Sequence, residues 1–448
     1  MVQKIDRRDV VRGIGVAGLL GLAGCAGGEG TDEPTDSGGD SGDDSGGDSG
    51  DDSGGDSGDD SSGDSGGGTV DQLRVGVLQP VTGDLGNLGE PIANAGELPA
   101  AQLEGADLPF EIDLRVEDTE TNPEVGVSRA QTLVDAGYPS ITGAASSSVT
   151  IQVALDVLFE EEVVGISPAS TSPDITELDG RFLLRVAPTD ALQGVAAASL
   201  AVEERDFGTA GTFYLNNAYG QGLNDAFVSN FEEIGGEVVA QSSFEPQQPS
   251  YDSALRTVLS EEPDMLYVVG YPASGQQIFR DFYENFDAGQ YTVIVADGMQ
   301  SNDLPGNVDN PMENVIGTAP AAVGPGRETF DQLFREEYEL EADASPGVFT
   351  AQAYDATAVH MLAQARAGEL SGPAVADEVR PVTDPGGEVV TPETLADGLR
   401  LAAEGQEVEY RGASSAIQFD ENGDLAAATF DIFQFSADGY TVTDQVDL

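Results

Sequence analysis

The sequence predicts an α/β protein. Strand-like and helix-like patterns alternate between about residues 71 and 319, the joints between them are short, and the whole alternation runs twice, over roughly 71–190 and 191–319. Strands alternating with helices of this length imply parallel sheets covered on both faces. The body, about 380 residues from 69 onward, has room for at least two domains.

The first block opens with a strand at 73–78. A second strand alternates over 111–116, and a helix over 122–136 carries Pro123 in its first turn, where a missing N–H does no harm. A short strand at 140–142 leads to a helix through Phe159, and 163–166 is again a strand. In the second block, 209–215, 237–240, 265–269 and 292–296 read as strands, with helices at 220–234, 251–260 and 274–286 between them. The remainder, 320–448, shows two helices, near 329–339 and 351–365, and a late β-rich stretch.

Ahead of the body lie two segments of different character. Arg7-Arg8, a Gly-interrupted apolar run over 13–24 and then Leu22-Ala23-Gly24-Cys25 read as a twin-arginine export signal ending in a stretch that resembles a lipobox. The apolar run is shorter than the twenty or so residues that span a bilayer. Residues 1–25 are therefore expected to be a signal, with lipid attached at Cys25 and the mature protein held on the outer face of a membrane. Cys25 is the only cysteine, which leaves no intrachain disulfide and no thiol for chemistry in the body. Residues 26–69 repeat Asp-Ser-Gly-Gly and Asp-Asp-Ser-Gly with almost nothing apolar to bury, and are expected to form a disordered acidic tether. A flexible coil of that length spans about 36 Å on average.

Charge sets the surroundings. The chain has 81 acidic residues against 18 basic ones, and its one lysine is Lys4. The tether holds 14 of the acids, but the body still carries 65 against 14 arginines. A folded domain so charged repels itself in dilute buffer. At about 1 M salt the screening length falls to about 3 Å and the repulsion fades. The pattern resembles that of haloarchaeal proteins. Nucleic-acid binding, which needs clustered Lys and Arg to neutralise phosphates, is disfavoured.

Most catalytic chemistry lacks its residues. The sole histidine, His360, sits in an apolar helical pattern and reads as structural, and neither HExxH nor a Walker lysine occurs. Gly83, Gly86 and Gly89 have the wrong spacing for a dinucleotide loop. No metal and no cofactor are expected, and a hydrolase using paired carboxylates is a remote alternative. The informative features are polar loops at the carboxyl ends of strands, where open α/β sheets bind ligands. Ser146, Ser147 and Ser148 enter a helix, where they either cap it or offer its N-terminus to a carboxylate. Ala169, Ser170 and Thr171 follow another strand. Tyr219, Tyr271 and Asp297 each follow a strand of the second block. Hydroxyl and amide donors on one block and tyrosines with a carboxylate on the other complement an amino-acid zwitterion, with cation–π contact from the rings.

At this level the chain resembles the leucine/isoleucine/valine-binding proteins, whose type I periplasmic-binding fold serves ABC importers. The matching stretches run in order: Arg74-Val75-Gly76-Val77-Leu78-Gln79-Pro80, Ser146-Ser147-Ser148, residues 166–173, Arg185-Val186-Ala187-Pro188-Thr189-Asp190-Ala191-Leu192-Gln193-Gly194, residues 218–222, Tyr251-Asp252-Ser253, Gly270-Tyr271-Pro272 and Phe419-Asp420-Glu421-Asn422-Gly423-Asp424. The resemblance implies two lobes, 70–190 with 320–411 and 191–319 with 412–448, joined by three crossovers near 190, 319 and 412. It implies that Ser146 and Thr171, with backbone near Ala169, hold the ligand carboxylate while Tyr219, Tyr271 and Asp297 meet the ammonium. Two departures bear on the ligand: Leu88 stands before Gly89 where the family's amino-acid binders often carry an aromatic, and Asp297 stands where they often have Glu.

The resulting expectation is a monomeric, extracytoplasmic solute-binding lipoprotein, not an enzyme, that closes on a branched-chain or similar amino acid and presents it to an ABC permease. The alternative on the same fold is urea, a short-chain amide or another small polar solute. Dialysis from molar salt into dilute buffer is expected to loosen or unfold the body, read by circular dichroism. Undiminished stability in dilute buffer would contradict the salt-adapted reading.

Overall fold

The computed structural model describes residues 70–448 apart from Asp343. The expected signal, Cys25 and the tether lie outside the described residues. Two sheets organise the rest. The first has five parallel strands in the order β2-β1-β3-β4-β5: β1 Gln72–Gln79, β2 Glu111–Asp118, β3 Ser140–Gly143, β4 Val164–Ser167 and β5 Leu183–Arg185. Its connecting helices are α1 (Gly86–Gln102), α2 (Pro123–Asp135) and α3 (Ser147–Val153), which runs on in π-helical form over Ala154–Leu158. β1 is an interior strand, and Leu73, Val75, Val77 and Leu78 are all fully buried, as a strand covered on both faces requires. Asn122 caps α2 as its sequence predicts, accepting from the N–H groups of Glu124 and Val125 at 2.9 and 3.2 Å.

The second sheet has seven strands in the order β14-β13-β10-β9-β8-β6-β7. β6 (Thr209–Leu215), β7 (Glu237–Phe244), β8 (Met265–Val269), β9 (Thr292–Val295) and β10 (Val315–Pro320) are parallel. β13 (Thr429–Ser436) returns antiparallel beside β10 and forms a hairpin with β14 (Gly439–Asp447). Its helices are α4 (Asp190–Ser199), α5 (Ala218–Glu233), α6 (Asp252–Val258), α7 (Pro272–Asn285) and α8 (Leu304–Val308). Between β10 and β13 the chain returns to the first sheet through α9 (Arg327–Glu337), α10 (Thr350–Ala367), α11 (Gly372–Val379) and α12 (Leu395–Ala403), with a two-stranded ribbon of β11 (Glu388–Val390) and β12 (Val408–Tyr410). The chain thus passes between the sheets three times, at 186–189, 321–326 and 411–428.

α10 is the central helix of the first lobe. Thr350 through Ala365 are all buried, and its small residues allow close packing on β1, β3 and α1. His360 lies within it with Nε2 3.1 Å from the Ile141 carbonyl oxygen. Burial pulls its pKa down to about 3, so the ring is a neutral packing element, as its apolar surroundings in sequence suggest. Asp355, on the same helix, accepts from Tyr410 Oη (2.8 Å), from the N–H groups of Ala413 and Ser414 (2.8 and 2.7 Å), and from Ser414 Oγ. It ties the third crossover to the core. Burial lifts its pKa to about 6 against those hydrogen bonds.

Several elements depart from the expectation. Residues 86–102 carry no helix assignment in sequence because Pro91 and Pro99 break the pattern, yet both sit inside α1. β5 and α4 are too short or too alanine-rich to stand out, and α11 and α12 add to the two helices expected after residue 320. Asp355→Ala is expected to lower stability by about 2–4 kcal/mol, because four donors lose a buried acceptor. Denaturant unfolding in molar salt measures this, and a change below about 0.5 kcal/mol would refute the tie.

Candidate functional site

The carboxyl ends of the two sheets face each other, and side chains from both meet there. Ser146, the residue before α3, makes no side-chain cap bond. Its Oγ lies 3.3 Å from Tyr271 Oη on the other lobe, which settles the choice between capping and an outward role against capping. Ser148 Oγ accepts from the Ala218 N–H at 3.1 Å, again across the cleft. Asp84, in the loop after β1, accepts from Ser274 Oγ at 2.9 and 3.0 Å in the first turn of α7. Tyr271 precedes α7 without a side-chain cap bond, so Asp84 of the opposite lobe supplies the negative group that a helix N-terminus favours. These contacts define a closed arrangement.

Within it, Tyr219 and Tyr271 stack, with ring centroids 5.4 Å apart and planes 5° from parallel. Asn217 orients the start of α5 by accepting from the Gly220 N–H at 2.8 Å, and its amide lies 3.4 Å from Tyr271 Oη. Tyr219 Oη donates to Asp297 Oδ1 (3.1 Å) and accepts from the Gly298 N–H (3.2 Å). A Cβ on Gly298 would stand 2.4 Å from the Gly270 carbonyl oxygen, so only glycine permits this turn. Gln193 Nε2 donates to Asp297 Oδ1 at 2.8 Å and to the Thr318 carbonyl at 3.0 Å. Asp297 is 3 % exposed, and none of the ion pairs among the described residues includes it. Burial pushes its pKa up to about 6, with the bonds from Gln193 and Tyr219 opposing.

A small cavity of about 10 Å³, close to the least that holds one water, lies beside these groups. It brings together Leu88, Ser147, Ala169, Tyr219, Tyr271 and Asp297 from the expected set. Ser146 reaches the site through Tyr271 Oη. Thr171 does not line the hollow, but its Oγ1 is buried without a hydrogen-bond partner. Ser170 is turned away: its hydroxyl donates to the Ala144 and Ala145 carbonyls at 3.0 and 3.1 Å and braces the loop that carries Ser146 and Ser147.

Five participants escaped sequence reasoning. Leu85, just before the hidden helix α1, and Ile92 within it line the apolar wall, and Phe349 completes it from the turn before α10. Phe349 holds φ +63°, a left-handed conformation that costs an L-residue about 1–3 kcal/mol and marks a constrained position. Asp190 is fully buried beneath Asp297, with neither carboxylate oxygen hydrogen-bonded. Burial and the Asp297 charge raise its pKa well above the usual range, against the nearby Thr171 hydroxyl and the Arg185 guanidinium. Asp190 and Gln193 stand within a stretch that matched the resemblance, but nothing in their spacing marks them as buried.

The site therefore offers a buried carboxylate, paired phenol rings and an apolar wall. A positively charged group with a short apolar body satisfies all three. Over 72–439 the chain matches the family model described as periplasmic binding protein. It is 25% identical to the Leu/Ile/Val-binding protein BraC3 of Rhizobium johnstonii over 82% of this chain and 92% of that one. It is 26% identical to the chemotactic signal transduction system substrate-binding protein BasB of Halobacterium salinarum, over 79% and 83%. Among solved structures, the leucine-binding protein LivK of Thermotoga maritima superposes with a TM-score of 0.70 at 23% identity, covering 84% of this chain and 98% of that one. A solute-binding protein from R. palustris in complex with benzoate superposes at 0.68 and 16% identity, covering 84% and 96%.

A buried group whose pKa is raised on folding adds stability below its ordinary value of 3.8, and that stability is lost as pH rises through about 6. Asp297→Asn is therefore expected to melt higher than the unliganded wild type at pH 8, with the gap closing below about pH 4. A variant that melts lower at pH 8 would show that the carboxylate charge is not a burden to the empty protein.

Proposed function

The chain belongs to the periplasmic binding protein family, and we propose that it binds an amino acid with a branched apolar side chain and delivers it to a membrane partner. The observation that carries this reading is the Asp297 carboxylate, buried without a cation beside the Tyr219–Tyr271 stack and the wall of Leu85, Leu88, Ile92 and Phe349. The ammonium of the ligand meets Asp297 and the ring faces. Its carboxylate meets Ser146, Ser147, Thr171 and the backbone near Ala169, and its side chain packs on the apolar wall. The likeness to BraC3, a Leu/Ile/Val-binding protein, and to LivK, a leucine-binding protein, supports this choice of ligand.

Residues 70–190 with 320–411, and 191–319 with 412–448, move as two bodies about the three crossovers. The present hollow is far smaller than a leucine side chain, so the lobes part to admit the ligand and close less far upon it. A ligand touching both lobes favours closure by its differential affinity for that form. The closed face is what an ABC permease reads. The name of the Halobacterium relative extends the same logic to a chemotactic signalling partner. A lipid on Cys25 and the acidic tether over 26–69 hold the body outside the membrane after twin-arginine export, in a salty medium.

A thermal-shift screen of leucine, isoleucine, valine, urea and benzoate in molar salt tests the ligand. Leucine or its branched relatives are expected to raise the melting temperature by several degrees and urea not at all. A response to urea or benzoate alone would overturn the amino-acid reading. Because the ammonium needs Asp297 ionised, affinity for leucine is expected to fall about tenfold per pH unit below about 6. A flat profile from pH 7 to 5 would remove Asp297 from the ammonium site.

A further inference from the structure

We propose that the groove formed by the three crossovers is a second small-molecule site, taking a small ammonium compound with a short apolar body. It is separate from the cleft: its volume is about 290 Å³, and none of its lining residues borders the hollow beside Asp297. Each crossover contributes a wall, with Val186 from the first, Ala321 from the second, and Ser415 and Leu425 from the third. Gln352 of α10 also lines it, and Asp447 stands at the end of β14.

The groove holds polar groups with unmet acceptor capacity. Gln352 is 2 % exposed and its Oε1 has no hydrogen-bond partner; Ser415 Oγ is likewise buried and unpartnered. A buried acceptor left unpaired is costly, and a ligand that donates to it removes the cost. No Lys, Arg or His lines the groove, and its one charged side chain is Asp447, exposed at the rim, where Oδ1 accepts from Thr429 Oγ1 at 2.7 Å. Acceptors, a negative charge and the apolar surfaces of Val186, Ala321 and Leu425 together fit an alkylammonium ion. They disfavour a carboxylate, which would find no basic group and would face Asp447.

Its position gives the groove a mechanical consequence. Val186 follows Arg185, and Leu425 follows Asp424; these two neighbours form an ion pair of 2.6 Å between Nε and Oδ1. Arg185 Nη1 also donates to the Ser172 carbonyl at 2.8 Å, in the loop that carries Thr171. Hinge motion reorients the crossover segments, so an occupant that fits the groove in this closed form favours closure and, by linkage, tightens the cleft ligand.

The experiment uses the full chain in about 2 M KCl with n-butylammonium chloride, against sodium butyrate at equal concentration. At about 50 mM, n-butylammonium is expected to raise the melting temperature by about 1–2 °C and butyrate to leave it unchanged. The shift is expected to persist in Asp297→Asn and to vanish in Gln352→Leu; Ser415→Ala decides the same point should Gln352→Leu fail to fold. Absence of a shift, or an equal shift with butyrate, overturns the site. A shift lost in Asp297→Asn but kept in the groove variants places the amine in the cleft and also overturns it. Leucine affinity is expected to rise about 2–5-fold with the amine present, and an unchanged affinity overturns the coupling. Failure of the cleft reading is distinguishable, because leucine would then give no shift while the amine shift remained.

Discussion

A carboxylate taken out of water without a cation is the constraint on which the site depends. Asp297 lies at the end of β9 with two neutral donors, Gln193 and Tyr219, and its charge is only partly compensated by them. Asp190 below it makes the region more negative still. Isolated buried charges are tolerated where a partner arrives to complete them. The stacked tyrosines, the glycine turn at Gly298 and the Gln193 amide all hold Asp297 in place.

The same contacts that shape the site join the lobes. Ser146 to Tyr271, Ser148 to the Ala218 N–H, and Asp84 to Ser274 are all hydrogen bonds between the two halves. Most are neutral and short-ranged, and such bonds contribute only about 0.5–1.5 kcal/mol each in net terms. A handful of them gives a closed form that is favoured modestly and that ligand contacts can bias. By contrast, the tether of Asp355 to the third crossover and the Arg185–Asp424 pair are buried and hydrogen-bonded throughout. Strength therefore resides at the crossovers and weakness at the cleft, as a hinge requires.

The fold was legible where pattern and punctuation agree. β1, α2 with its Asn122–Pro123 start, and β8 follow their sequence signals closely. Site residues at strand ends were legible for the same reason: Ser147, Tyr219, Tyr271 and Asp297 stand where parallel strands finish, and the topology gathers them. α1 was not legible, because Pro91 and Pro99 argue locally against a helix that packing on β1, β2 and α10 sustains. With α1 went two of the apolar wall residues, Leu85 and Ile92. Phe349 escaped because a left-handed backbone at an aromatic residue has no sequence signature. Ser170 shows the converse: its place beside Thr171 suggested a ligand contact, but which way a hydroxyl turns depends on the Ala144 and Ala145 carbonyls, and those are known only in three dimensions.

The acidity of the whole chain and the acidity of the cleft obey different physics. Acids over the body outnumber arginines by far, yet most are in contact with water, and about 1 M salt screens such charges over about 3 Å. Asp297 is sealed from that medium by Tyr219, Tyr271 and the apolar wall, and mobile ions do not reach it. Its interaction with any group that enters is consequently set by the low polarity of the closed cleft and is little affected by salt that screens the surface field. A strongly acidic surface and a buried carboxylate can then coexist in one chain, because closure of the lobes places them in separate dielectric environments.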